Sequence, residues 1–172
     1  MPDPAPRRLV LVRHAKSARP IGVPDHDRPL AGRGRRDAQA AGRWFRTEGP
    51  RPDLGLCSTA ARARQTWEIV CRSLPPVPTR LSPELYGADA DELLDLVAQV
   101  PASVGTLVVV GHEPTASITV LRLAAKRSER GALEALAEKY PTTGIAVLRF
   151  GGDWTSAADA HPVLETFTVP RG

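Results

Sequence analysis

Short apolar runs and helically spaced apolar stripes alternate along this chain. A short continuous apolar run is typical of a strand that is covered on both faces of a sheet. The run LVLV, directly before Arg13 and His14, and the run LVVV, directly before Gly111 and His112, are the clearest cases. The predicted strands are residues 9–12, 54–57, 107–110, 145–150 and 163–169.

Helical spacing is clearest near residues 89–100, where Leu93, Leu96, Val97 and Val100 fall on one face. Strands that alternate with helices indicate an α/β domain with a mainly parallel sheet. The predicted helices are residues 34–46, 60–74 and 89–100, a helix that starts after Gly111 with Pro114 in its first turn, and a polar surface helix at residues 126–139.

Length and composition indicate one globular domain. The 172 residues are 42% apolar and 24% charged, so we predict a single domain over residues 1–172, with a flexible tail at residues 1–7. No apolar run reaches the roughly 18 residues of a membrane span, and MPDPAPRR lacks the apolar stretch of a signal peptide. Cys57 and Cys71 match no zinc or redox motif, so we interpret them as reduced core residues of a cytoplasmic protein that binds no membrane.

The net charge of +4 raises the question of nucleic-acid binding. The arginines are scattered, however, and three Trp, two Tyr and three Phe provide few stacking platforms. Because the sequence has no basic patch with interleaved aromatic residues, we expect a solvated arginine-rich surface and no nucleic-acid partner.

Polar side chains follow three of the predicted strands. Arg13 and His14 follow the first, Ser58 follows the second, and His112 comes just after the third. Ligands of open parallel sheets bind beyond the carboxyl ends of the strands, so we expect these residues to meet there and to contact the substrate. Arg62 should join them, because it lies near the start of a helix, where backbone N–H groups favour anions.

Two arginines and two histidines at one sheet edge predict a site for a phosphoryl group. An arginine binds phosphate through paired N–H donors. One neutral imidazole can attack phosphorus, while a second, protonated imidazole neutralises charge on the equatorial oxygens. Each residue alone is better interpreted as a capped or salt-bridged surface group, as we interpret His26 and His161. The prediction therefore depends on the combination.

Other chemistries find little support. The segment HEPTA, residues 112–116, resembles the start of a zinc-protease motif, but residue 116 is Ala where a second histidine is needed. A divalent metal at His14 would be repelled by Arg13. Walker, G-x-G-x-x-G and G-x-S-x-G motifs are absent from the sequence. We therefore predict no metal site.

Three segments resemble signatures of the histidine phosphatase superfamily, which includes the phosphoglycerate mutases. They are LVRHAKS (residues 11–17), CSTAARARQTWEI (residues 57–69) and VVVGHEP (residues 108–114), in the family's order. The segment DHDRPLAGRG, residues 25–34, and the short chain are most similar to the SixA-type phosphohistidine phosphatases. The resemblance implies a three-layer α/β/α, phosphoglycerate mutase-like fold without metal or organic cofactor.

The resemblance also implies roles for individual residues. It assigns His14 as the nucleophile that is transiently phosphorylated, Arg13 and Arg62 as phosphate clamps, and His112 as a transition-state stabiliser. The general acid stays open. Glu84, in SPELYG, resembles the acid segment of the mutase branch, but a surface glutamate at a helix start is an equally good interpretation.

The substrate is predicted from the leaving group. Phosphohistidine expels imidazole, which needs a positioned acid less than the alkoxide of a phosphate ester does. The short chain also lacks room for long insertions over the site. We predict a phosphatase that removes phosphate from phosphohistidine in a protein, through a phosphohistidine intermediate on His14. A small-molecule phosphomonoesterase of the same superfamily and a non-catalytic phosphate-binding module are the alternatives.

Overall fold

The computed structural model describes residues 5–172, which are arranged around a six-stranded sheet. The strands are β1 (Arg7–Arg13), β2 (Leu54–Ser58), β3 (Thr79–Ser82), β4 (Thr106–Gly111), β5 (Ile145–Phe150) and β6 (Val163–Thr168). Their order across the sheet is β3-β2-β4-β1-β5-β6. The first four in this order are parallel, and β5 runs antiparallel to both of its neighbours. The prediction of a mainly parallel sheet is confirmed.

Within residues 5–172, five α-helices cover the two faces of the sheet. They are α1 (Gly32–Thr47), α2 (Ala61–Cys71), α3 (Ala90–Ala98), α4 (Thr115–Ala124) and α5 (Arg130–Glu138). Val10 and Val12 of β1 pack with α1 and α2, whereas Leu9 and Leu11 pack with α3, α4 and α5. Alternate side chains of a strand point to opposite faces, so these two clusters confirm three layers. No helix in this part of the chain has the length and apolar character needed to cross a membrane.

Two strands differ most from the prediction. The sequence does not predict β3, because its first three residues are exposed at the edge of the sheet and form no apolar run. β1 begins at Arg7, inside the segment predicted as a flexible tail. The Arg7 guanidinium donates to the carbonyl oxygens of Val104 at 2.6 Å and Gly152 at 2.8 Å, which holds this end of the strand in place. Residues 1–4 of the predicted tail lie outside the described residues.

Three helices are shorter than predicted, and one of them, α3, covers Ala90–Ala98 rather than residues 89–100. α2 ends at Cys71, because the following backbone bonds span three residues instead of four. The N–H groups of Ser73 and Leu74 donate to the carbonyl oxygens of Val70 and Cys71 at 3.1 Å. The surface helix begins at Arg130 rather than at residue 126. The residues before it finish the turn that follows α4.

The loop after β1 is held tightly between β4 and α1. The His14 N–H donates to the carbonyl oxygen of Gly111 at 3.0 Å, and the Ala31 N–H donates to that of Lys16 at 2.9 Å. A Cβ atom at Gly34 would lie 2.0 Å from the same Lys16 oxygen, so a glycine is required for this approach. The backbone of His14 is thereby fixed on both sides.

The last residues of the chain pair with a buried carboxylate of α1. Asp37 is 1% exposed and accepts from Nη1 of Arg171 at 3.1 Å and from the Gly172 N–H at 3.2 Å. Nε of Arg33, which is more exposed, lies 3.5 Å from the same carboxylate. These contacts tie the end of the chain to the helix that supports the His14 loop.

Candidate active site

The carboxyl ends of β1, β2 and β4, which are neighbours in the sheet, bring the predicted site residues together. The ring centroids of His14 and His112 are 5.2 Å apart, with an interplanar angle of 56°. Nε2 of His112 lies 2.8 Å from Oγ of Ser58. Arg62, in the first turn of α2, donates from Nε to Nε2 of His14 at 3.3 Å. Residues far apart in the chain therefore face one small volume.

His14 presents an unprotonated nitrogen to this volume. Its Nδ1 atom lies 2.7 Å from the carbonyl oxygen of Ala15, which can only accept, so Nδ1 carries the ring proton. The lone pair of Nε2 then faces Arg62. Burial lowers the pKa of His14 to about 3, and the charges of Arg62 and Arg13 act in the same direction. The ring is therefore neutral and able to act as a nucleophile at neutral pH.

His112 is also neutral in the free protein, whereas we expected a protonated imidazole here. Burial lowers its pKa to about 4, with a further contribution from the charge of Arg62. Ser58 Oγ accepts from the Ala60 N–H at 3.3 Å and can donate its own proton to Nε2 of His112. In that tautomer Nδ1 carries the ring proton; this atom is buried without a hydrogen-bond partner among the described residues.

Arg13 supplies a second fixed positive charge beside His14. Its Nη1 donates to the carbonyl oxygen of Tyr140 at 2.7 Å. Its Nε is buried and has no partner within residues 5–172. Burial lowers the pKa of Arg13, and the nearby charge of Glu113 opposes this effect. A guanidinium nevertheless stays protonated at any relevant pH, so its charge is permanent.

Thr66 is a supporting residue that the sequence did not single out. Its hydroxyl accepts from the Ala15 N–H at 2.9 Å and donates to the carbonyl oxygen of Arg62 at 2.7 Å. Thr66 is fully buried. It lies one helical turn after Arg62 on the same face of α2, and this spacing was the available signal. The hydrogen bond between Thr66 and Ala15 fixes α2 relative to the loop that carries His14.

Asp25 and Tyr86 close the outer side of Arg62, and sequence reasoning missed both. Asp25 accepts from Nη1 through its carbonyl oxygen at 2.7 Å and from Nη2 through Oδ2 at 3.1 Å. Tyr86 donates its hydroxyl to the same Oδ2 at 2.8 Å, and its ring centroid is 5.8 Å from that of His112. His26 packs edge-on against Tyr86 at 4.8 Å, so it belongs to the rim of the site rather than to a remote surface.

The signal for these residues was weak. Asp25 and His26 lie in DHDRPLAGRG, the segment most similar to the SixA-type proteins, and Tyr86 lies in SPELYG, the segment of Glu84. Both segments consist of loops and a single 3₁₀ turn. In such segments no regular spacing along the sequence predicts the direction of a side chain.

Glu84 is exposed and hydrogen-bonded to a neighbouring serine. Its exposed carboxylate accepts from Oγ of Ser82 at 2.5 Å, and this hydrogen bond lowers the pKa of Glu84. Within residues 5–172 it makes no hydrogen bond or ion pair with His14, Arg62 or His112. It is ionised at neutral pH and holds no proton to donate. Its role as general acid stays a prediction.

The arrangement suits a tetrahedral dianion. Two guanidinium groups and two imidazoles surround the volume beyond β1 and β4. In the part of the chain that the structure describes, no three His, Cys, Asp or Glu side chains form a group that could hold a metal ion.

A model of the histidine phosphatase superfamily (branch 1) matches residues 9–148, which is most of the chain. The chain belongs to the histidine phosphatase superfamily. This assignment confirms the family and the phosphatase activity that the sequence predicted.

The relatives of this histidine phosphatase extend over nearly its whole length. The uncharacterized protein Rv1276c of Mycobacterium tuberculosis is 45% identical over 161 residues, which are 93% of this chain and 100% of the relative. A solved structure from Nakamurella multipartitia, provisionally named phosphohistidine phosphatase SixA, is 38% identical with a TM-score of 0.88, and 98% of each chain is covered.

A second solved structure with the same provisional name, from Agrobacterium tumefaciens, is 32% identical with a TM-score of 0.82. The matched region covers 96% of this chain and 99% of the Agrobacterium chain. Phosphoglycerate mutase from Plasmodium falciparum, at 16% identity and a TM-score of 0.65, is similar in fold alone. The predicted phosphoglycerate mutase-like fold is therefore confirmed.

Proposed function

We propose that this histidine phosphatase removes phosphate from phosphohistidine in a protein, through a phosphohistidine intermediate on His14. One observation carries the proposal: the unprotonated nitrogen of His14 lies 3.3 Å from the fixed guanidinium of Arg62, while Glu84, the carboxyl group predicted as a proton donor, is ionised. The similarity to two structures provisionally named SixA supports the same substrate class.

In the first step, Nε2 of His14 attacks phosphorus, and a new N–P bond forms while the N–P bond of the substrate breaks. The Nδ1–H of His14 keeps its hydrogen bond to Ala15, which stabilises the positive charge that the ring acquires. Arg13 and Arg62 bind the nonbridging phosphoryl oxygens. The substrate imidazole, protonated on its other nitrogen, leaves as a neutral ring.

In the second step, water attacks the phosphorus of the phosphoenzyme and the electron pair of the N–P bond returns to Nε2 of His14. Orthophosphate leaves with the two protons of the water, and His14 is again neutral with its proton on Nδ1. In the tautomer in which Ser58 donates to Nε2, Nδ1 of His112 has a proton and no partner among the described residues, so His112 can donate it to a phosphoryl oxygen. A bound dianion offsets part of the arginine charge that contributes to the low pKa of His112. Binding therefore favours donation, and full protonation, at this imidazole.

The ionised carboxyl groups favour phosphohistidine over a phosphate ester. The hydrogen bond from Ser82 lowers the pKa of Glu84, and the hydrogen bond from Tyr86 lowers that of Asp25. Departure of an alkoxide needs a positioned proton donor. Transfer between two imidazoles exchanges one N–P bond for another and needs no such donor.

An open groove beside His112 leaves room for a side chain presented by a protein. Its volume is about 470 Å³, and it is lined by residues 87–91 and by the start of α4. Ile118 is part of this lining and is 49% exposed. Tyr86, which directly precedes the lining residue Gly87, is 39% exposed. Exposed apolar side chains next to the reaction centre suit contact with a protein surface.

Steady-state kinetics on a substrate panel test the proposal. The panel pairs a protein phosphorylated on histidine with small alkyl phosphate esters. We expect kcat/KM to be at least about 100-fold higher for the phosphohistidine protein. Phosphate trapped on the enzyme should be labile to acid and stable to alkali, and it should be absent from His14→Ala. His161→Asn, a histidine that contacts Lys126 away from the site, is the matched control and should keep the label.

Two results would change the assignment. Higher efficiency on small esters would replace the substrate with the small-molecule alternative. Turnover by a folded His14→Ala protein would overturn the mechanism itself.

A further inference from the structure

Asp25 occupies one edge of the Arg62 guanidinium. Nη1 donates to its carbonyl oxygen at 2.7 Å, and Nη2 donates to Oδ2 at 3.1 Å. A guanidinium has a second edge, formed by Nε and the remaining N–H of Nη2, and this edge also binds oxyanions in pairs. It faces His14, since Nε lies 3.3 Å from Nε2 of that residue. The bonds to Asp25 thus keep this edge turned toward His14, where a phosphoryl oxygen can take over the Nε–H donor that His14 accepts in the free protein.

The Asp25 carboxylate is itself held by two further donors. The Tyr86 hydroxyl donates to Oδ2 and Nη1 of Arg28 donates to Oδ1, both at 2.8 Å. Arg28 also donates from Nε to the carbonyl oxygen of Ala18 at 3.1 Å, which ties this group to the loop after His14. The Asp25 side chain is 54% exposed, so donors rather than burial fix its position.

We propose that Asp25 is a positioning residue of the phosphate site, which orients Arg62 so that its inner edge meets the phosphoryl oxygens, and that Tyr86 acts through Asp25. The inference rests on the proposed function, because it takes Arg62 as a phosphate-binding group. A carboxylate near a bound dianion weakens ground-state binding through repulsion. Its benefit lies in the transition state, where donors that are already oriented need no reorganisation.

These opposite effects separate kcat from affinity. Asp25→Ala removes the side-chain bonds and keeps the carbonyl bond to Nη1. We expect kcat for the phosphohistidine protein to fall at least about tenfold, because Arg62 loses its orientation. Orthophosphate, titrated by calorimetry, should bind as tightly as to the wild type or up to about fivefold more tightly, because the repulsion is gone.

Asp27→Ala is the matched control. Asp27 lies on the same turn, is 66% exposed, and pairs with His26 rather than with Arg62. The variant removes the same charge, and its kcat should stay within about twofold of the wild type.

A double-mutant cycle tests the role of Tyr86. Tyr86→Phe keeps the ring that lies 5.9 Å from Cζ of Arg62 and removes only the hydroxyl. We expect kcat to fall about three- to tenfold in the wild-type background, and by less than about 1.5-fold in the Asp25→Ala background. A purely structural role for Tyr86 would give the same factor in both.

Three outcomes would overturn the inference: an Asp25→Ala kcat within about twofold of the wild type, weaker orthophosphate binding by that variant, or equal effects of Tyr86→Phe in both backgrounds. A wild type that forms no acid-labile label would instead reject the proposed function, and the inference with it. If the wild type turns over normally and Asp25→Ala has an unchanged kcat, the inference is rejected while the proposed function stands.

Discussion

Nε of Arg62 donates to Nε2 of His14 across 3.3 Å, and this contact joins residues 48 positions apart in the chain. The charged donor points at the same nitrogen that attacks phosphorus in the proposed mechanism. In the free protein this donor occupies the Nε2 lone pair, and in the proposed mechanism its N–H passes to a phosphoryl oxygen when substrate binds, which places a positive charge beside that oxygen. Both the charge and the planar shape of this side chain should therefore matter.

Arg62→Lys separates charge from shape. Lysine keeps the positive charge but loses the rigid pair of donors, so we expect kcat/KM to fall about 100- to 1,000-fold. Rapid-quench measurement of the phosphoenzyme should show that the first step is slowed. Arg64→Lys is the control, since Arg64 donates to the carbonyl oxygen of Thr59 instead. Near-normal rates in Arg62→Lys would mean that a point charge is sufficient.

Glu84→Gln tests the predicted general acid. Glu84 is exposed and bonded to Ser82, so we expect less than about a threefold change in kcat on both phosphohistidine protein and alkyl phosphate. Kinetics on the two substrates in parallel check this. If ester hydrolysis alone fell by about 100-fold or more, Glu84 would be the acid after all, reaching the leaving group in the bound state.

Stability should fall as the solution becomes mildly acidic. The pKa values of His14 and His112 are lowered from 6.5 to about 3 and about 4, chiefly by burial. Between those values and 6.5, the unfolded chain binds protons that the folded protein does not, so the free energy of unfolding decreases as pH falls. The slope should approach about 1.4 kcal/mol per pH unit for each histidine.

Urea unfolding at several pH values between about 7 and 5 measures this slope. His14→Asn should reduce it by about half, because one of the two lowered pKa values is removed. A wild-type free energy of unfolding that is constant over this range would contradict the burial of neutral imidazoles.

Arg171→Ala should destabilise the protein without reaching the active site. It leaves the buried Asp37 carboxylate with the weaker partner Arg33, at 3.5 Å, and with the Gly172 N–H. We expect a loss of about 1–3 kcal/mol in the free energy of unfolding, with kcat unchanged. Thermal and urea denaturation provide the measurement. Arg33→Ala, which removes the longer and more exposed pair, should cost less; a larger loss there would reverse the ranking of the two pairs.

Periodicity identified the elements that build the core. The runs before Arg13 and Gly111 became adjacent parallel strands, because a sheet with helices on both faces buries consecutive apolar residues of a strand. The sequence pattern did not predict β3, because this edge strand has few buried side chains and therefore no apolar run. Chain pattern thus predicts elements to the extent that burial drives them.

The site was predictable where the fold itself positions a side chain. Arg13, His14 and His112 follow directly from strand ends, and Arg62 from a helix start. Asp25 and Tyr86 lie on short 3₁₀ turns, where no period links sequence position to side-chain direction. Their meeting at one oxygen atom of Asp25 depends on how two loops cross, which local sequence does not encode.

The sequence by itself determined the α/β architecture and the four groups of the proposed phosphoryl site, because hydrophobic periodicity sets the strands and the strands set their ends. Only the tertiary structure decided which nitrogen of His14 is unprotonated, which hydrogen bonds lower the pKa values of Asp25 and Glu84, and which residues orient Arg62. Those properties arise from burial and from hydrogen bonds between distant segments, and they exist only once the chain has folded.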